Sequence, residues 1–216
     1  LAEHYKTINR LDEAEATLAK GLKAVPDDSV LKSSHADIQI LRLQRAIDAW
    51  TRKLKAAPGD EETKSKLDQL TAALTSYEVK EIRRRVGLRP EDLNLRFQFG
   101  KLLAKADKHD EAIAEFQQAR ASATLKVQSL FQAGQSFEAN GVVKLAERSY
   151  QDALKAVEDD DIAMINSLHY RLGRSAEDGG NKTLAEEHYN EVAANDYGYL
   201  DVAQRLREMN KKPTED

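Results

Sequence analysis

The chain has 216 residues, 41% hydrophobic and 32% charged, with ten glycines and four prolines, which suits a soluble helical protein of one elongated domain or two small ones. Its net charge of −4 divides into 17 basic and 16 acidic side chains over 1–92, and 16 and 21 over 93–216, so neither half has the basic footprint of a nucleic-acid binder. The lack of cysteine excludes disulfides and thiolate metal sites, and no run of 18 apolar residues offers a membrane span.

Leu1 to Pro26 reads as a helix, a turn at Asn9–Arg10 and a second helix. Because Leu1 already falls inside a helical pattern, the chain reads as a fragment of a longer protein. Pro26, Pro58 and Pro90 then recur 32 residues apart, each closing a helical stretch. Asp28 to Ala57 and Asp60 to Val86 contain no glycine or proline. Two readings of 27–92 stand: a pair of degenerate helix-turn-helix units with an unadvertised turn near Ile40–Leu41–Arg42, or one long antiparallel hairpin joined at Pro58-Gly59-Asp60. Ile47, Trp50, Leu54 and Ala57, with Leu67, Leu70, Leu74 and Tyr77, keep the spacing of a coiled-coil-like seam, which favours the hairpin.

From Leu93 a stricter rule takes over. Gly100 is followed by Ala112, Phe116 and Ala119; 34 residues on, Gly134 is followed by Ala146, Tyr150 and Ala153. A third copy has Gly173, Ala185 and Tyr189, with Val192 in the last place, displaced by five residues after the acidic run Val157 to Asp161. Each copy predicts two helices and a polar turn: Leu93–Lys105 and Glu111–Arg120 in the first, Ala163–Asp178 and Lys182–Ala194 in the last. A mid-helix glycine costs about 1 kcal/mol against alanine, so Gly100 and Gly134 at one register imply that packing compensates. The small residues let two backbones close up, and the aromatic fills the space beside them. One such hairpin cannot bury its apolar face alone, so copies must stack into a solenoid. Asp201 to Asn210, apolar at Val202, Leu206 and Met209, reads as a capping helix, and Lys211 to Asp216 as a polar, disordered tail.

This pattern resembles the tetratricopeptide repeat, a 34-residue helix-turn-helix unit with a small residue at position 8, Ala at 20, Tyr or Phe at 24 and Ala at 27. The resemblance implies an all-α, right-handed solenoid with a long, less regular hairpin in its N-terminal half. Its expected divisions are 1–26, a partial repeat with Tyr5, Ala14, Leu18 and Pro26 in register; 27–92, degenerate repeats or the hairpin; 93–126, 127–160 and 161–197, repeats, the last with an insertion; and 198–216, the cap and tail. It also implies a non-catalytic module that binds a peptide or partner protein in a concave groove. The alternative is a scaffold that self-assembles head to tail through its terminal repeats, as a homo-oligomer. No nucleic acid, membrane insertion, cofactor or metal is expected, and the cytoplasm is the default location.

In that family, positions 2, 5, 6 and 9 look into the groove. Here they hold Asn94, Phe97, Gln98 and Lys101; Gln128, Phe131, Gln132 and Gln135; and Ser167, Tyr170, Arg171 and Arg174. Aromatics there can pack on partner side chains and amides can pair with an extended peptide backbone, the surface turning positive at Lys101, Arg171 and Arg174. The competing reading packs Phe97, Phe131 and Tyr170 against neighbouring repeats and leaves the glutamines as ordinary exposed helix residues. The family's carboxylate clamp, Lys at 5 and Asn at 9, is not met by Phe97/Lys101, Phe131/Gln135 or Tyr170/Arg174.

Signals for catalysis are weak. Gly134-Gln135-Ser136 begins like a nucleophile elbow but continues Phe137-Glu138 within a helix. Gly179-Gly180-Asn181-Lys182-Thr183 lacks the Gly-Lys adjacency and preceding strand of a phosphate loop. His4, His35, His109, His169 and His188 form no i, i+4 pair and read as scattered. Asp159 to Asp161 lacks the spaced ligands of a calcium loop. Arg83-Arg84-Arg85, one turn from Glu78 and Glu81, reads as a solvated, ion-paired face.

Overall fold

A computed structural model describes residues 2–7 and 10–211. Leu1, the Asn9 part of the first expected turn, the side chain of His4 and the tail from 212 lie outside the described residues. Every regular element among the described residues is helical, in two compact units divided between Glu91 and Asp92.

The first unit contains α1 (Ala2–Thr7), α2 (Leu11–Ala24), α3 (Ser29–Ala56) and α4 (Glu61–Leu88). Helix α3 continues through Ile40–Leu41–Arg42, so this stretch is a long antiparallel hairpin of two 28-residue helices, each about 42 Å long at 1.5 Å per residue. Both helices start at an aspartate two residues after a proline. Asp28 accepts from the amides of Val30 and Leu31 at 2.8 and 2.9 Å, and Asp60 from those of Glu62 and Thr63 at 3.1 Å each. Asp92, two residues after Pro90, caps the next helix through the Leu95 amide at 3.0 Å. These carboxylates satisfy donors that a helix start leaves unpaired. A recurring Pro-x-Asp thus both stops one helix and starts another.

Helix α2 packs Leu11, Ala14 and Leu18 on Ile38 of α3, and α4 buries Leu74, Val79, Ile82 and Val86. Towards the tip the apolar stripe is wetter: Ile47, Trp50, Leu54, Leu67 and Leu70 are half-buried and Ala57 is exposed. Helix α2 has only 14 residues, too few to cover the length of its neighbours. The arginine run does more than face solvent. Glu81, with a side chain only 11% exposed, receives Arg84 and Arg85 at 2.7 Å each. Arg84 also donates to Ser33 Oγ at 2.7 Å, and Arg85 to Asp37 at 2.6 Å. Burial opposes ionisation at Glu81, but the two guanidinium hydrogen bonds outweigh it and hold the carboxyl below its ordinary range. This cluster clasps α4 to α3, a role hidden from a sequence in which 33, 37 and 81–85 lie far apart.

The second unit contains α5 (Leu93–Lys105), α6 (His109–Ala119), α7 (Lys126–Ala139), α8 (Val143–Leu154), α9 (Ile162–Asp178), α10 (Lys182–Asn195) and α11 (Val202–Met209). Helices pair α5 with α6, α7 with α8 and α9 with α10, and each pair stacks on the next, ending with α10 on α11. The turn inside each hairpin has one residue in left-handed backbone: Asp107 at φ +56°, Gly141 at +72° and Gly180 at +78°. The mid-helix glycines do what their register implies. A Cβ on Gly100 would lie 2.7 Å from Phe116 Cε1, one on Gly173 2.7 Å from Tyr189 Cε1, and one on Gly134 would collide with the Tyr150 ring. Those three rings are fully buried.

Helix α11 keeps the register of the stack. Val202 and Leu206 follow Leu168 and Leu172 by 34 residues and bury against Ala176, Ala185, Tyr189 and Val192. It therefore packs as the first helix of a further unit would. Gly134→Ala removes a helix penalty of about 1 kcal/mol but forces a methyl into a ring that cannot withdraw; the expected net loss is ~1–3 kcal/mol in a denaturant titration. Gly59→Ala, where an added Cβ meets nothing within 4 Å, is expected to stay within about 0.5 kcal/mol of wild type.

Candidate interaction surface

Each position-5 aromatic lies half-buried on the position-24 ring of its own hairpin. Phe97 meets Phe116 and Phe131 meets Tyr150 with ring centroids 5.8 Å apart, and Tyr170 meets Tyr189 at 6.2 Å. Tyr170 is engaged twice more, by the Tyr199 ring at 5.9 Å and by donating to Asp201 at 2.9 Å. Ser167 shares a hydrogen bond of 3.0 Å with the Tyr199 hydroxyl. Two of the four expected groove positions on α9, Ser167 and Tyr170, thus contact the chain's own segment leading into α11.

The amides differ. Asn94, Gln98 and Gln128 are exposed, Gln132 and Gln135 half-exposed, and among the described residues none of them is hydrogen-bonded within the chain. Their donors and acceptors stand open along α5 and α7. Lys101 is exposed, its ammonium 5.8 Å from the Phe97 ring centre. Arg171 contributes less charge than its sequence suggests, because it is paired with Glu138 of α7 at 2.9 Å. Arg174 makes a long contact to Asp178, 3.9 Å, and its charged form is favoured first by a hydrogen bond with Tyr170. Both arginines line a cleft of about 560 Å³ with Tyr170, Lys144 and Glu147.

The Arg171 pair is one instance of a recurring link between hairpins. Tyr189 donates to Glu177 at 2.8 Å, and Glu177 receives Arg205 of the next helix at 2.5 Å. One repeat earlier the Tyr150 hydroxyl is buried beside Glu138, which receives Arg171. Burial first, then the adjacent carboxylate, pushes both phenols above their ordinary range. Phe116 has no hydroxyl, and the corresponding acid and base positions are Ala104 and Gln132, so the first joint lacks the link altogether.

The nucleophile-elbow reading of 134–136 fails on access, since Ser136 is buried inside α7. The histidines are less scattered than their spacing suggested: His169 of α9 and His188 of α10 meet Nδ1 to Nδ1 at 3.0 Å. They lie 19 residues apart, the separation that pairs Arg96 with Glu115 at 3.0 Å in the first hairpin. That cross-hairpin spacing, rather than i, i+4, was the available signal. No described helix is long and apolar enough to cross a membrane.

Stacked helical hairpins with a small-residue notch and a facing ring define a helical-repeat protein, and the fold is the tetratricopeptide-repeat solenoid. No family model matches the sequence, and no curated protein matches it. Solved structures do. The C-terminal part of a repeat-containing protein from Cytophaga hutchinsonii aligns with a TM-score of 0.59 at 11% identity, covering 95% of this chain and 84% of that one. YrrB, described as a tetratricopeptide-repeat protein with an unusual peptide-binding site, aligns at 0.56 and 14% identity over 88% and 97%. MamA aligns at 0.53 and 17% identity over 91% and 95%.

The segment covering α9 should respond to acid. Asp201 is held below the ordinary aspartate value of 3.8, chiefly by its hydrogen bond from Arg205 and, against burial, also by Tyr170. A depressed carboxyl contributes stability that is complete above its unfolded value and lost as the pH falls through its folded value. Asp201 is 42% exposed, so the contribution is about 1 kcal/mol or less. Hydrogen exchange in α11, corrected for intrinsic rates, is expected to accelerate relative to α9 below pH 3.8, and Asp201→Asn to remove that difference.

Proposed function

We propose that the chain is a non-catalytic interaction module that binds an extended peptide or segment of a partner protein along α5 and α7. The observation that supports this most is the row of uncommitted amides at 94, 98, 128, 132 and 135. A carboxamide offers two donors and two acceptors, the complement of a peptide backbone, and Phe97 and Phe131 supply half-exposed apolar surface between them. The peptide-binding site stated for YrrB lends the reading support by analogy of fold. The working surface is narrower than the full ladder, because Tyr170 and Arg171 are occupied within the chain. A displayed peptide library panned on the wild-type chain should yield sequences whose affinity falls at least tenfold for Gln128→Glu/Gln132→Glu/Gln135→Glu, with the melting temperature unchanged. Equal binding by both proteins would remove α7 from the reading.

Self-assembly is the second reading, favoured by the exposed apolar side chains Tyr197 and Leu200 beside α11. A mass that stays monomeric up to high concentration would exclude it.

A further inference from the structure

The contact between His169 and His188 is unlike its counterparts. The same two positions hold Arg96 and Glu115, an ion pair, in the first hairpin, and Leu130 and Ser149 in the second. In the third hairpin they place two half-buried imidazoles on adjacent antiparallel helices, with Nδ1 atoms 3.0 Å apart and ring centres 5.2 Å apart. That separation is a hydrogen bond, and a bond between two like nitrogens needs a proton on one of them only. One ring is therefore the Nδ1–H tautomer and donates, while the other carries its proton on Nε2 and accepts.

Adding protons to this pair has unequal consequences. The first goes to the free Nε2 of the donating ring, leaves the N–H···N bond in place and makes it charge-assisted. The second goes to the accepting Nδ1 itself. Both facing nitrogens then carry hydrogen, the bond is lost, and two like charges stand at close range inside the hairpin. Among the described residues, the carboxylates that act on the rings are Glu191, at both, and Glu187, at His188, and both belong to α10. Charged groups of the packed helices are engaged elsewhere: Glu147 and Asp152 of α8 with Ser175 and Lys155, Arg171 and Arg174 of α9 with Glu138 and Tyr170, and Glu177 of α9 with Arg205 of α11. Lys144 and Arg148 of α8 are exposed. Burial pushes both imidazoles below the ordinary histidine value of 6.5; at His188 the neighbouring ring adds to the effect, and the glutamates oppose it. A group lowered in this way contributes stability that is complete above its unfolded value and lost as the pH falls through its folded value.

We propose that the contact of His169 with His188 is an acid-operated latch on the third hairpin, closed while the two facing Nδ1 atoms share one proton and forced open when each carries its own. Opening it parts α9 from α10. Val202 and Leu206 of α11 bury against Ala185, Tyr189 and Val192 of α10, so a hairpin that opens also loosens the segment that meets Ser167 and Tyr170. Acid thereby uncovers those two positions on α9. The second hairpin has no such response, because Leu130 and Ser149 stand where the histidines would be.

The test is hydrogen exchange of the full chain, corrected for intrinsic rates, in steps from pH 6.5 to 3.8, between the ordinary histidine and aspartate values. Amides of α9 and α10 are expected to exchange about tenfold faster, or more, at the acid end, relative to those of α7 and α8. Imidazole NMR of the wild-type chain, a readout that needs no variant, should show two separate protonation steps for the pair, the second well below 6.5. His169→Gln and His188→Gln should melt like wild type at neutral pH, since a carboxamide can donate to or accept from the remaining Nδ1 in either protonation state. Both variants should lose the acid acceleration. Exchange in α9 and α10 that stays level with α7 and α8, acceleration that survives in both variants, or a single protonation step for both rings at or above 6.5 would each overturn the latch.

Discussion

A buried ring lying on a helical glycine is the contact on which the second unit depends. Phe116 on Gly100, Tyr150 on Gly134 and Tyr189 on Gly173 let two helices approach more closely than any side chain at the glycine would permit. That approach fixes the hairpin, and the alanines at 112, 119, 146, 153 and 185 keep the remaining interface equally thin. The cost of glycine in a helix is offset by dispersion contacts with a ring that no solvent reaches.

Where the ring is tyrosine, its hydroxyl extends the same contact into the joint between hairpins. Tyr189, Glu177 and Arg205 form a chain of charge-assisted bonds into α11, and Glu138 and Arg171 link α7 to α9. These links also decide which polar side chains are paired within the chain. Arg171 is paired with Glu138 and Tyr170 with Asp201, whereas among the described residues Gln98, Gln128 and Gln132 make no side-chain hydrogen bond within the chain. Along α5 and α7 these side chains are unpaired within the chain, whereas on α9 Ser167 and Tyr170 meet the segment that leads into α11.

The first unit solves its packing differently. Without the small-residue notch, α3 and α4 extend to 28 residues each and rely on aspartate caps, a stripe of aliphatic side chains and the cluster of Glu81 with Arg84 and Arg85. The part of that stripe towards the tip is only half-buried, beyond the reach of the 14-residue α2. The Glu81 cluster adds polar links from α4 to Ser33 and Asp37, on the stretch of α3 that α2 also packs against.

The sequence by itself determined the helical class, the 34-residue hairpins and the places where helices stop. Gly, Ala and aromatic positions encode close approach directly, and proline breaks a helix wherever it stands. It also carries the Pro-x-Asp recurrence at 26–28, 58–60 and 90–92, which marks the stop of one helix and the cap of the next. The 3–4 apolar spacing and the lack of glycine or proline already favoured an unbroken α3, whereas the tertiary structure decided what its side chains meet. It alone turned the Arg83–Arg85 run into a clasp, covered Tyr170, neutralised Arg171 and brought His169 to His188. Each of these contacts depends on a residue 19 to 52 positions away, and local periodicity records which face a residue occupies but not what meets it there.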